Sequence, residues 1–196
     1  RNIALILAAS MMATFAFGGT TAFAAEEGET DSVTVGIMAD PENMGPWSGM
    51  SMGRIAVLFT TYEYLITRED GVAYGVLAKS WDEVDPKTYD VELYDYIHDA
   101  EGNPLTASDV VFSFESAIAT KNYGKLSVID SVTATDDYHV EFKFNKDLEI
   151  GEFENVMLEC AIVTQAAYEA SPDQMATTPV GTSAYLVDSY IPGSEI

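Results

Sequence analysis

The 196-residue sequence contains one cysteine, two histidines and nine basic residues, against 32 acidic ones. With Cys160 alone, no internal disulfide can form, so a fold outside a reducing compartment must rest on its core. The neighbours of Cys160 in VMLECAIV are apolar, which points to a buried thiol in preference to a reactive one. His98 and His139 lie in separate segments, and no histidine or cysteine ligands stand at metal spacing. A formal net charge of −23 excludes nucleic acid as a partner, because counterion release needs a basic surface. Acidic membrane surfaces are disfavoured for the same reason, and the acidity reads as a device for solubility. No apolar run reaches the roughly 20 residues that a membrane span requires.

What is present begins with a positive start, Arg1-Asn2, a charge-free stretch from Ile3 to Phe17, and Ala22-Phe23-Ala24 before AEEGETD. That order predicts a cleaved secretory signal over residues 1–24. An acidic, flexible leader over 25–32 follows, then a single folded unit over 33–196, within the length of one domain. Cys160 is far from the cleavage site, so no lipid attachment point is expected there. With 47% hydrophobic residues the chain is not disordered as a whole.

Along the chain, VTVGIM (Val33 to Met38) predicts a strand, and ADPENMGPWSGMSMG a loop with two prolines, three glycines and three methionines. From Arg54 an almost wholly apolar run predicts a buried helix ending near Tyr64, followed by a turn at REDG. LAKSW leads into EVDPKTYDVEL, a hairpin with a Pro-Lys turn. In NPLTASDVVFSFESA, Thr106 is the N-cap and Asp109 the returning partner of a capping box. Val110, Val111, Phe114, Ala117 and Ile118 then form one apolar helical face. SVTATDDYHVEFKFN predicts a second hairpin, turning at Asp136-Asp137. EFENVMLECAIVTQAAYEA is helical at its start and mixed later, SPDQMATTPVGTSAY is rich in turns, and YLVDSY resumes a strand.

Four of these segments, in order, carry a resemblance. TYEYLITREDGVAYGVLAKSWDEVDPKTYDVEL, EGNPLTASDVVFSFESA, SVTATDDYHVEFKF and TPVGTSAYLVDSYIPGSEI together resemble the family 5 extracellular solute-binding proteins of ABC importers. The likeness extends over Val33 to Ile196. Two departures stand out: LYDYIHDAEG places Tyr94 and Asp95 where the family pattern LR-x-x-V-x-FHDG has a basic pair, and Ser183-Ala184 replaces Gly-Pro in GTGPY. The resemblance implies an α/β fold with a mixed sheet, part of a two-lobed periplasmic-binding-protein type II-like architecture. It implies an N-terminal fragment, with a subdomain over 51–178 and a return to the first lobe over 179–196. It also implies noncovalent capture of oligopeptides or dipeptides, delivery to ABC permease subunits, a monomer, and a secreted or periplasmic location. Oligosaccharide, a nickel or metal chelate, or a sensory or surface module are the alternatives.

Candidate ligand contacts follow from that frame. Met44 and Met50 offer adaptable apolar contact, Trp47 a stacking face, Ser48 and Ser51 hydroxyls, and Arg54 a partner for a carboxylate. The competing reading has Trp47 and Met50 packing the loop and Arg54 pairing with a nearby acid. Glu115 lies off the apolar face of its helix and is either turned to the cleft or a solvated charge. Gly181 and Thr182 are read as hinge residues, and Thr106 and Asp109 as structural. Met44, Met50 and Met52 can also be drawn as a thioether cluster for a soft metal, though flexible packing explains them as well. No cofactor or metal is expected. Hydrolysis is not expected either: GTSAY misses the last position of a G-x-S-x-G elbow, and neither histidine has a nucleophile partner at motif spacing.

Overall fold

In the computed structural model, residues 35–196 are described; the predicted signal and leader lie outside them, as do Val33 and Thr34. Helix α1 (Arg54–Thr61) is followed by strands β1 (Ile66–Glu69), β2 (Val72–Gly75), β3 (Ala78–Asp85) and β4 (Thr88–Leu93). Then come α2 (Ala107–Thr120), a short 3-10 turn (Gly124–Val128), β5 (Ile129–Ala134), β6 (His139–Phe144), α3 (Glu152–Met157) and α4 (Gln165–Ala170).

Alternation in β4 and β6 decides how the larger sheet is buried. Tyr89, Val91 and Leu93 share a face with Val140, Phe142 and Phe144, all buried, while Asp90, Glu92, Glu141 and Lys143 point the other way. The strand order is β3-β4-β6-β5. Helix α2 lies over β5 and β6. It inserts Phe114 edge-on to Phe142 at 4.9 Å, and Phe153 of α3 stacks flat on Tyr89 at 4.2 Å. The uncovered face is acidic, with Asp82, Asp90 and Glu141 in register across three strands. Opposed like charges are unfavourable; Lys143 relieves the row by an ion pair to Glu141 at 2.7 Å.

Both predicted hairpins are present, and β3 takes in Ala78–Trp81, the end of LAKSW, instead of starting after it. A third hairpin, β1–β2, is absent from the sequence reading. Its turn is Asp70-Gly71, both at positive φ (51° and 82°), the backbone that a two-residue I′ turn demands. Helix α1 stops at Thr61, short of Tyr64, because Glu63 leaves to bridge Ile162. Every strand pairing among the described residues is antiparallel, which corrects the mixed sheet. Residues 35–38 and 185–190 form no strand. Their β-branched and aromatic residues suit one, but no neighbouring strand among the described residues takes up their backbone groups, and Val35, Met38, Tyr185 and Leu186 are exposed. Asp40, just after the first stretch, accepts from the Tyr190 hydroxyl at the end of the second and from the Gly193 amide beyond it.

The capping box is formed: Asp109 Oδ2 accepts from the Thr106 amide at 2.8 Å and its hydroxyl at 2.7 Å. Its other oxygen accepts from the Gln165 amide at 2.8 Å, so one carboxylate starts both α2 and α4. The polar run before α2 is held by a second acid. Asp99 accepts from the amides of Glu101 and Asn103, both at 2.9 Å, from Asn103 Nδ2 at 2.8 Å, and from the hydroxyl of Thr164, the N-cap of α4. Burial alone would push the Asp99 carboxyl up, but these donors outweigh it and hold it below the ordinary aspartate range. A depressed folded-state pKa stabilises above the unfolded value and is lost as pH falls through the folded one. Asp99→Ala is therefore expected to be about 2 kcal/mol less stable than wild type at pH 7. That gap should narrow as pH drops below about 4, read from urea midpoints at pH 7, 4 and 3. A gap that stays constant would contradict this assignment.

Candidate solute-binding loop

The loop from Asn43 to Gly53 is rich in glycine and methionine, yet the structure fixes it at many points. Arg54 is the central tie. Only 4% exposed, it donates from one guanidinium nitrogen to the Gly45 carbonyl at 2.6 Å and from the other to the Gly49 carbonyl. No acidic partner lies within ion-pair distance of it among the described residues, and its Nε is buried without an acceptor. Burial pushes the guanidinium below its ordinary value. Arg54 thus closes a ring of backbone, and neither reading from the sequence, a partner for a solute carboxylate or a pairing with a nearby acid, is seen at its position.

Trp47 is likewise 4% exposed. Its ring meets Tyr168 at 4.9 Å and Phe112 at 5.8 Å, and its indole donates to the Ala161 carbonyl at 2.9 Å. Met44 is fully buried; its amide donates to the Ala176 carbonyl, and its own carbonyl accepts from the Tyr62 hydroxyl at 3.0 Å. Burial pushes the Tyr62 phenol well above its ordinary value, so it stays a neutral donor. Asn122 donates to the Trp47 carbonyl at 3.0 Å. The faces of Trp47 and Met44 are occupied by protein.

What the loop presents outward is different. Met50 and Met52 are 57% and 63% exposed, and Ser48 and Ser51 are also exposed. Ser48 is partly engaged, its hydroxyl donating to Asn43 Oδ1 at 2.8 Å. Because Met44 is buried while Met50 and Met52 face solvent, the three thioethers do not form one cluster. Among the described residues no group of three or more His, Cys, Asp or Glu side chains is gathered to hold a metal. Glu115 is exposed on α2. Cys160 is buried, which pushes its thiol up.

Gly181 and Thr182 form a crossing point. Thr182 donates to Glu63 Oε2 at 2.7 Å, and the Gly181 carbonyl accepts from the Ala100 amide at 3.0 Å. The requirement for glycine here is space and not a left-handed backbone: a Cβ would lie 1.9 Å from the Thr61 carbonyl oxygen. Asp99, Thr164 and Asn122 are the anchoring residues that sequence reasoning did not pick out; the Asx-type run HDAEGN was the available signal for the first.

A lysine cannot span both carbonyls, since it offers one ammonium in place of a planar fork. Arg54→Lys should lower stability by about 1–3 kcal/mol and speed hydrogen exchange across Gly45–Gly53. Unchanged exchange there would show that Arg54 does not hold the loop.

Comparison with known proteins places this geometry. Residues 73–196 match the bacterial extracellular solute-binding proteins, family 5 (middle). No curated protein matches the chain. Among solved structures, the ABC transporter substrate-binding protein CtaP of Listeria monocytogenes is 30% identical, with a TM-score of 0.67 over 79% of this chain and 33% of that one. NikZ of Campylobacter jejuni, solved in complex with Ni(L-His), is 25% identical, with a TM-score of 0.61 over 69% of this chain and 29% of that one. The oligopeptide-binding protein AppA of Bacillus subtilis, solved with a nonapeptide, shares the fold at 21% identity, with a TM-score of 0.70 over 79% of this chain and 33% of that one. The chain thus spans about a third of the length of these relatives, and the described residues are part of their two-lobed periplasmic-binding-protein fold. No helix among the described residues is long and apolar enough to cross a membrane. The match over 73–196 and the shared fold establish that this chain belongs to the family 5 bacterial extracellular solute-binding proteins, a family of binding proteins.

Proposed function

We propose that the protein captures oligopeptides or dipeptides outside the cytoplasm and hands them to the permease of an ABC importer, working as a monomer in the periplasm or at the outer face of the membrane. The family match over 73–196 carries this reading, and the Listeria relative is itself an ABC transporter substrate-binding protein. The loop chemistry supports it. Met50 and Met52 are unbranched, polarizable and exposed, and suit side chains of varied shape; Ser51 beside them offers a hydroxyl to a peptide backbone. In this reading Met50, Ser51, Met52 and Ser48 face the solute, and Arg54, Trp47 and Met44 hold the loop from behind. The subdomain runs over 51–178, and residues 179–196 lead back to the first lobe, whose closure over the solute is a hinge motion.

A nickel chelate is the second reading, favoured by the NikZ complex at 25% identity. A chelate such as Ni(L-His) brings its own ligands and asks of the protein only a shaped site. The two readings separate in a thermal-shift assay on the longest natural form of the protein, with a random tri- to nonapeptide pool in one arm and nickel plus L-histidine in the other. A solute that binds only the folded state raises the melting temperature by mass action. A shift with peptides alone is expected. A shift with the chelate alone would replace the peptide assignment.

A further inference from the structure

Where β4 leaves the larger sheet, the chain builds a groove of about 730 Å³ against the β5–β6 turn. Three tyrosines line it: Tyr94 and Tyr96, with ring centroids 5.2 Å apart, and Tyr138 across from them. Its basic side chains are already engaged, Lys79 with Glu92 at 2.6 Å and His139 with Asp136 at 2.9 Å. Two further carboxylates line the groove, Asp95 and Asp137, and neither takes part in an ion pair among the described residues.

We propose that this groove is a docking site for a basic peptide segment of a partner protein, with arginine or lysine side chains laid over Tyr94 and Tyr96 and paired to Asp95 and Asp137. Two observations carry the choice of occupant. The first is charge complementarity: the free groups of the groove are all anionic or aromatic, and a cation over a tyrosine face gains from both. The second is shape. The groove is broadly open to solvent, so a small molecule would stay largely solvated there, whereas a peptide segment can cover more of it. The groove is also pre-formed. The Leu93 amide donates to the Tyr138 carbonyl at 2.8 Å, Tyr94 to Leu77 at 3.2 Å, and Ala107 to Asp137 at 2.8 Å, fixing both walls before any partner arrives. None of the residues lining the groove belongs to the Asn43–Gly53 loop.

The test is a titration of the full chain with an end-capped pentapeptide of alternating arginine and lysine flanked by alanines. Isosteric neutral and acidic pentapeptides and spermine serve as the other arms. Binding of the basic peptide alone is expected, weakening as salt rises. Tyr96→Ala should weaken it about fivefold, and Asp95→Lys with Asp137→Lys roughly tenfold or more. These side chains are exposed or line an open groove, so a melting curve matching wild type confirms that each variant is folded. No binding of the basic peptide, equal binding of the neutral one, or variants that bind as wild type would overturn the proposal. Spermine binding as tightly as the peptide, with the same sensitivity to the variants, would overturn the peptide as occupant.

Discussion

Trp47→Ala is expected to lower stability by about 3–5 kcal/mol, the usual cost of emptying a large buried aromatic site. In a chain of this length that corresponds to a fall in melting temperature on the order of 10 °C. The effect should appear with no solute present. Two aromatic contacts vanish, with Tyr168 and with Phe112, and the Ala161 carbonyl loses its indole donor in a buried position. Trp47→Phe divides the effect: the ring contacts survive in part while the donor is lost, so a smaller loss of about 1–3 kcal/mol is expected. A tryptophan whose role was to stack on a solute would behave in the opposite way, leaving the melting temperature of the empty protein unchanged and reducing only affinity.

Gly181→Ala is the second large effect. An alanine Cβ would sit 1.9 Å from the Thr61 carbonyl oxygen and 3.2 Å from a ring carbon of Tyr62. The first clash is with backbone at the end of α1, which cannot rotate aside as a flexible side chain would. The strands of contact here are short and mutually dependent: Gly181 to Ala100, Thr182 to Glu63, and Glu63 to Ile162. Moving any one loosens the others. A loss of about 3 kcal/mol or more is expected, at the upper end of overpacking effects, with lowered protection of the Ala100 and Ile162 amides in hydrogen exchange. Near-neutral stability with unchanged exchange would mean that the crossing can open at little cost. That outcome would favour the flexible hinge read from the sequence.

The parts of the fold that were legible in the sequence are those settled within a few residues. The Thr106–Asp109 box and the two longer hairpins depend on local spacing and on strict alternation, and both are visible in one dimension. The β1–β2 hairpin was missed because its strands have four residues each, too few for alternation to stand out, although Asp70-Gly71 carried the turn signal. The stretches at 35–38 and 185–190 failed for another reason. Residue type says that a segment can be a strand, but a strand exists only where a neighbour supplies hydrogen bonds. Trp47 and Arg54 were read toward solute because an aromatic and a cation in a glycine-rich loop look available. What removes them from solvent is tertiary: Ala161 lies 114 residues beyond Trp47. Arg54 closes on carbonyls of its own loop, a pairing that no residue-type pattern announces.

The candidate site is therefore divided in a way the sequence did not reveal. A buried layer of Met44, Trp47 and Arg54 fixes the loop, and Met50, Ser51 and Met52, which we propose meet the solute, form an exposed layer. Rigidity behind and adaptable side chains in front is an arrangement that lowers the ordering cost of binding without narrowing the range of shapes accepted.

Solute capture is tested most directly by native mass spectrometry of the longest natural form of the protein, mixed with an equimolar pool of tri- to nonapeptides and Ni(L-His). The account predicts one-to-one adducts at peptide masses, reduced in Met50→Asp/Met52→Asp protein while its melting temperature is retained. Adducts at the mass of the nickel chelate with none at peptide masses would contradict it.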